Sequence, residues 1–255
     1  MKKVLIEEMS WTEFNEIMAV NDLVIIPVGS IEEHGYHNPL GTDYHIAKKA
    51  AYDIGKLANA PVAPIMPIGN ASNLMGFPGT ISIDPEILHD VLLQVCEGFI
   101  HHGAKRFLFI NGHGGNTATI KMVSNVLFDK YQVFSTQTEW WVILKQMSEF
   151  PCNDHGGKYE TSMMLAVDDK IVNMSAAKTV LRKNLTDKIA YDDFGLKFNG
   201  VTLSPGYSLD RVTDVGNYGA RAEEATKELG ENMYERYIEY CVELAEEIRK
   251  IPLMK

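Results

Sequence analysis

The 255-residue chain has only three cysteines, Cys96, Cys152 and Cys241, far apart and with no CxxC pair. That spacing excludes a disulfide framework and a thiolate zinc knot, and such thiols are expected to stay reduced. No apolar stretch approaches the ~20 residues a membrane span requires. The start, MKKVLIEEMSWTEF, has an apolar run of three residues before two glutamates, too short for a secretory signal. A cytoplasmic location is therefore expected. Basic charge is scarce as well: 24 Lys and Arg against 34 Asp and Glu leave a formal net charge of -10. A phosphate backbone needs a basic surface, so nucleic acid is not an expected partner, and without an apolar span neither is a membrane. There is no internal repeat, low-complexity tract or linker rich in Pro, Gly or Ser. With 45% hydrophobic residues, the chain can bury a sizeable core as one domain over residues 1–255.

What is present is an alternation of strand and helix patterns. Residues 23–28 are a short β-branched run ending in Gly29-Ser30, as a buried strand would be. A helix follows from Asp43, with Ile46, Ala47, Ala50, Ala51, Ile54 and Leu57 at helical spacing. Residues 62–68 read as an edge strand, because Pro64 and Pro67 cannot donate to a ladder. Asp84 as N-cap, Pro85 at the first position and Gly103 as stop mark the next helix. Strands over 106–110 and 132–136 flank a helix over 117–129. A helix starts near Glu160, and 220–251 is helical with a break expected at Gly230. Residues 183–219 are the least regular part, suited to a lid or an oligomer contact. The rhythm implies an α/β fold with a mostly parallel sheet and helices on both faces.

Chemistry-bearing residues gather at the expected strand ends, where such folds bind ligands. The segment from Glu32 to Asp43 holds two histidines and three carboxylates in twelve residues. Glu32 and His34 lie two apart, which in extended backbone points them the same way. Asp43 enters from the start of the following helix, where it could also be only a cap. Glu33 and His37 are the members best given to a solvated loop. The run NGHGGN frames His113 with three glycines, letting the backbone approach a ligand. It is neither a phosphate loop nor a dinucleotide fingerprint, and no organic cofactor is expected. The third cluster, DHGGKYETS, offers Asp154 and His155 for acid–base work. Glu160 is either a ligand or a helix N-terminal charge.

These His and carboxylate donors, without thiolates, suit Zn²⁺, Mn²⁺ or Fe²⁺. The expected centre is dinuclear: Asp43 bridges two divalent ions, Glu32 and His113 complete one, and His34 and Glu160 the other. Trp141, Gly114, Gly115 and Ser30, at the same strand ends, are the candidates for contacting a substrate.

The phrases PVGSIEEHGYHNPLGTD, GFPGTIS, NGHGGN and HGGKYETSMML resemble, in order, motifs of the creatininase (creatinine amidohydrolase) family; GNYGARAEEATKELG is a weaker echo. The resemblance implies a three-layer α/β/α domain, a two-metal centre and a homo-oligomer, often a hexamer. It places Glu32, His34, Asp43 and His113 on metal-ligand positions and His155 on that of the proton shuttle, with Asp154 available to orient it. The implied activity is hydrolysis of a small amide or cyclic amide through a metal-bridging hydroxide. Alternatives are hydrolytic ring opening of a cyclic ketone of the diketo-cyclitol type, or a non-catalytic metal-binding member. Two departures stand out. Gly115 occupies a position where creatininases carry a glutamate ligand, so Glu160 would have to compensate. No tryptophan precedes His155 in Phe150-Pro151-Cys152-Asn153, which argues against creatinine itself as substrate.

Overall fold

The computed structural model describes residues 3–147, 149–180, 182–192, 195–203 and 206–253. After α1 (Trp11–Met18), which opens on a Ser10–Glu13 capping box, comes β1 (Leu23–Val28), buried along its whole length. It pairs in parallel with β2 (Arg106–Asn111), which pairs in parallel with β3 (Phe134–Glu139). Between them run α2 (Thr42–Leu57), α3 (Pro85–His101) and α4 (Thr117–Tyr131). β3 passes directly into α5 (Trp140–Gln146), and α6 (Lys158–Asp168) follows. An antiparallel trio, β4 (Ile189–Asp192), β5 (Gly195–Phe198) and β6 (Val201–Leu203), precedes the long α7 (Lys227–Lys250).

Side-chain alternation along the strands builds two cores. Leu23, Ile25, Leu108 and Ile110 pack on one face with Ile46 and Ala50 of α2, Leu144 of α5, Met163 of α6 and Met233 of α7. Val24, Ile26, Phe107 and Phe109 pack on the other with Leu88 and Leu92 of α3 and Ile120 and Val123 of α4. The result is the expected α/β/α sandwich with a parallel centre.

Several local expectations need correction. Residues 62–68 form no regular strand: Pro64 and Pro67 reduce the segment to isolated parallel bridges, Ile25↔Val62 and Val28↔Met66. β3 begins at Phe134 rather than 132, because Gln132 is left-handed (φ 55°) and closes α4. Asp84 stands at the N-cap of α3, yet its side chain makes no capping hydrogen bond. Trp140 and Trp141 start a helix. Residues 183–219 contain the small antiparallel sheet, though their later part packs Leu209 and Val212 against Ala71 and Leu74. The C-terminal helix begins at Lys227 and runs unbroken through Gly230. That glycine is a point of close approach: a Cβ there would lie 1.7 Å from the Ser162 carbonyl oxygen of α6.

The register fixes the site. Val28 pairs with Asn111, and Asn111 with Glu139, so the three strands end in line. The loops that leave β1, β2 and β3 therefore converge on one edge.

Candidate metal centre

The loop after β1 is closed by the Glu32 amide donating to the Leu40 carbonyl at 2.8 Å, which returns the chain to α2. His37 Nε2 lies 2.8 Å from Thr161 Oγ1 of α6, and Asn38 Nδ2 donates to the same oxygen at 2.9 Å. These latches leave Glu32, His34 and Asp43 facing inward, each at most 2% exposed. His37 is spent on packing and stays outside the donor cluster.

Asp43, in the first turn of α2, is the centre of the arrangement. Its Oδ1 lies 3.1 Å from His34 Nε2 and its Oδ2 lies 3.2 Å from His113 Nδ1. Glu32 Oε2 is 3.0 Å from His113 Nδ1, and Glu160 Oε2 is 3.4 Å from His34 Nε2. Two donor sets result, Glu32–Asp43–His113 and His34–Asp43–Glu160, with the donor atoms of each within 4.8 Å of one another. Ligand atoms bound at ~2.1 Å around one ion stand roughly 3–3.5 Å apart, so both sets are close to coordination spacing.

The outer contacts support the same reading. His34 Nδ1 is 3.1 Å from the Glu32 carbonyl, and His113 Nε2 is 2.9 Å from the Asn70 carbonyl. A ring N–H on each carbonyl turns the opposite nitrogen toward Asp43, where the neutral ring would offer its lone pair to an ion. Asp43 Oδ2, although close to His113, is buried without a hydrogen-bond partner. A cation between these atoms would satisfy it.

Electrostatics points the same way. Burial opposes a charge on His34, but Glu160 and Asp43 outweigh it and hold the ring protonated well above the ordinary histidine range. His113 is raised likewise against burial by Glu32 and Asp43. Asp43 is held low despite its burial, chiefly by His34 and His113. Buried carboxylates at this density need compensating positive charge, and without an ion they draw it from protons.

Glu160 is set in the first turn of α6, with Oε2 accepting from the Gly156 amide at 2.6 Å. Gly115 lies in a 3₁₀ turn (Gly114–Asn116), where a Cβ would fall 2.1 Å from the Asn70 carbonyl oxygen and 2.4 Å from His113 Nε2. No side chain fits there without moving the histidine, and Glu160 fills the second donor set instead.

His155 stands at the edge of the cluster. It forms a third close set with Glu32 and His34, and its ring lies 4.4 Å from that of His34. Its Nε2 is 2.8 Å from the Glu33 carbonyl and 3.0 Å from Glu33 Oε1; its Nδ1 is 3.8 Å from Glu160 Oε2. The orienting partner is thus Glu33 rather than Asp154. Asp154 Oδ2 accepts from the Tyr159 amide at 2.7 Å and caps α6, while burial and then Glu160 push its carboxyl up to about 7.

Glu33, read from sequence as a solvated loop residue, is 5% exposed and accepts from the Gly35 amide at 3.0 Å. Burial opposes its charge, but His155 and that amide hold its pKa low. Its place depends on Gly216, where a Cβ would lie 1.7 Å from Glu33 Oε2. The available signal was two-residue alternation, which sends residue 33 away from 32 and 34 and toward a partner behind them.

A cavity of about 820 Å³ opens over the cluster. Glu32, Asp43, His113, Asp154, His155 and Glu160 line its floor; Gly114, Gly115, Trp141 and Tyr218 are among its other lining residues. Trp140 is 2% exposed and belongs mainly to the core. Ser30 does not meet a substrate: it is fully buried, and its hydroxyl donates to Glu32 Oε2 at 2.6 Å.

The family model for creatininase, described as creatinine amidohydrolase, matches residues 7–245. This chain belongs to the creatininase family. It is similar to the creatinine amidohydrolase of Pseudomonas putida, 26% identical over 68% of this chain and 75% of the relative. It is also similar to the mycofactocin precursor peptide peptidase of Mycolicibacterium smegmatis (33% identical, 57% of this chain, 58% of the relative). A third relative is the 3-dehydro-scyllo-inosose hydrolase of Thermotoga maritima (29%, 64% of this chain, 52% of the relative). A crystal structure of creatinine amidohydrolase superposes over 100% of both chains with a TM-score of 0.77 at 22% identity. A structure titled creatininase Mn gives 0.73 at 25% identity over 98% of each. The chain is thus a creatininase-family hydrolase with a candidate metal centre. No helix among the described residues is long and apolar enough to cross a membrane.

Proposed function

We propose that this protein is a divalent-metal-dependent hydrolase of a small amide or cyclic amide. The carrying observation is that one buried carboxylate, Asp43, faces a histidine with each oxygen and belongs to two donor sets. Divalent ions held there lower the pKa of water and polarise a carbonyl oxygen. Glu32, Asp43 and His113 would hold one ion, and His34, Asp43 and Glu160 the other. The donor chemistry suits Zn²⁺, Mn²⁺ or Fe²⁺.

The chain's own groups do the rest. Glu33 keeps the His155 ring with Nε2 on its two oxygens, so Nδ1 faces the cluster and carries the proton for the leaving nitrogen. Ser30 steadies Glu32, while the Gly156 amide steadies Glu160. Trp141 and Tyr218 wall the cavity and limit water around a bound substrate. The lining spans residues 32 to 218, which supports treating residues 1–255 as one functional domain. A cytoplasmic location is part of this reading, supported by three free, buried cysteines; so is a homo-oligomeric state, the state the family resemblance implies.

The test is a hydrolysis screen of lactams, formamides, short peptides and cyclic ketones with Mn²⁺- and Zn²⁺-loaded protein, beside His155→Ala. Turnover of an amide, lowered ~10²–10⁴-fold in the variant with metal retained, supports the reading. Turnover of cyclic ketones alone would favour ring opening. No turnover, with under one ion per chain, would favour a non-catalytic binder.

A further inference from the structure

The cavity wall carries a feature that the chemistry at its floor does not use. Helix α5 leaves the end of β3 beside the metal centre and presents Trp141, Val142, Lys145 and Gln146 to the cavity. These are positions i, i+1, i+4 and i+5, one face of a helix. Trp141 sits next to the centre: its Cζ2 would be 4.0 Å from a Cβ at Gly114, the residue after His113. Lys145 is one turn farther along, ~5–6 Å from Trp141 along the axis. The face therefore reads outward from the ions as an aromatic wall followed by an ammonium.

Among the described residues lining the cavity, Lys145 is the one Lys or Arg, against the carboxylates Glu32, Asp43, Asp154 and Glu160 at the floor. Its ammonium is exposed and hydrogen-bonded to the loop opposite. Nζ donates to Asn153 Oδ1 at 2.5 Å, and Asn153 directly precedes Asp154 and His155. The ammonium is thus tied to the segment that carries the proton donor. Asn153, Gln146 and Asn73 place neutral polar groups along the same lining.

We propose that Lys145 is an anion-binding subsite, taking a carboxylate that the substrate carries about one helical turn beyond the Trp141 wall. The substrate class is then an amide whose anionic group is remote from the scissile bond, with an apolar or flat portion between them lying against Trp141. This rests on the reading of the floor as a metal centre. A purely structural Lys145, pinning the segment before His155 through Asn153, is the competing explanation.

Binding of linear hydroxamates to the Mn²⁺-loaded full chain, followed by calorimetry, separates these cases. The hydroxamate anchors to the ions, and the far end of each probe is either a carboxylate or the matching carboxamide, over a series of spacer lengths. At the matching length the carboxylate should bind roughly five- to tenfold tighter, as suits a partly exposed charge-assisted contact. Lys145→Met should remove that preference while leaving carboxamide affinity and metal content in place, and Lys145→Arg should retain it. Equal binding of the two ends at every length, or a preference that survives Lys145→Met, overturns the subsite and leaves the metal centre standing. Failure of every probe to bind overturns the metal-centre reading itself, and the subsite with it.

Discussion

Nε2 of His155 faces two oxygens of a single residue, the Glu33 carbonyl at 2.8 Å and the Glu33 carboxylate at 3.0 Å. With that nitrogen fixed, the ring can offer only Nδ1 to the donor cluster. Glu33→Gln keeps the volume but replaces one charged acceptor. We expect kcat to fall roughly 10- to 100-fold, with KM and metal content little changed. A variant with normal turnover but lost metal would make Glu33 a support for the ligand loop instead.

Gly115 makes a prediction of the opposite kind. Because a Cβ would lie 2.4 Å from His113 Nε2, Gly115→Ala should push that ring off the Asn70 carbonyl and out of its donor set. Metal affinity at one site should weaken by about 10- to 100-fold, the usual cost of losing an outer-shell contact. Titration with Zn²⁺ under a competing chelator reads this directly, and unchanged affinity at both sites would show that the turn relaxes freely.

The close crossing of α6 and α7 should be visible in stability. An alanine ordinarily improves a helix by about 1 kcal/mol over glycine. At Gly230 the added Cβ meets the Ser162 carbonyl at 1.7 Å, so the helices must separate. Overpacking of this kind costs about 1–3 kcal/mol. We expect Gly230→Ala to melt roughly 2–8 °C lower, where a solvent-facing glycine would melt higher.

Removing metal should change how stability depends on pH. In the ion-free protein the surrounding carboxylates hold His34 and His113 protonated well above the ordinary range. A raised folded pKa contributes stability that is complete below the unfolded value, ~6.5, and is lost as pH climbs through the folded value. Chelated protein should therefore lose Tm steadily above about pH 6.5. Loaded protein should not, since bound ions replace those protons and bind more tightly as pH rises. At an ion concentration 100 times the dissociation constant, the gain is ~2.7 kcal/mol, or roughly 5–10 °C in Tm. Parallel pH profiles with and without metal would contradict this.

Much of this arrangement was legible in the residue order, for a physical reason. Buried parallel strands are short apolar runs, and a parallel sheet puts every strand's carboxyl end on one edge. Glu32, His34, Asp43 and His113 therefore read as neighbours although 81 positions separate the first from the last. Contacts set by loop geometry were less legible. Alternation turns Glu33 away from Glu32 and His34 without naming His155 as its partner, and nothing local says that Ser30 turns inward to Glu32 or that Asp154 caps α6 rather than orienting its neighbour. The unbroken course of α7 was hidden as well, since a glycine breaks a helix or admits a neighbour according to what lies beside it.

The most direct measurement is the metal content of purified, reconstituted protein and of Asp43→Ala, by elemental analysis per chain. A carboxylate shared between two donor sets implies two ions per native chain and almost none in the variant, with hydrolysis lost alongside. Native protein holding one ion or none, or Asp43→Ala still holding two, would contradict the shared-carboxylate centre.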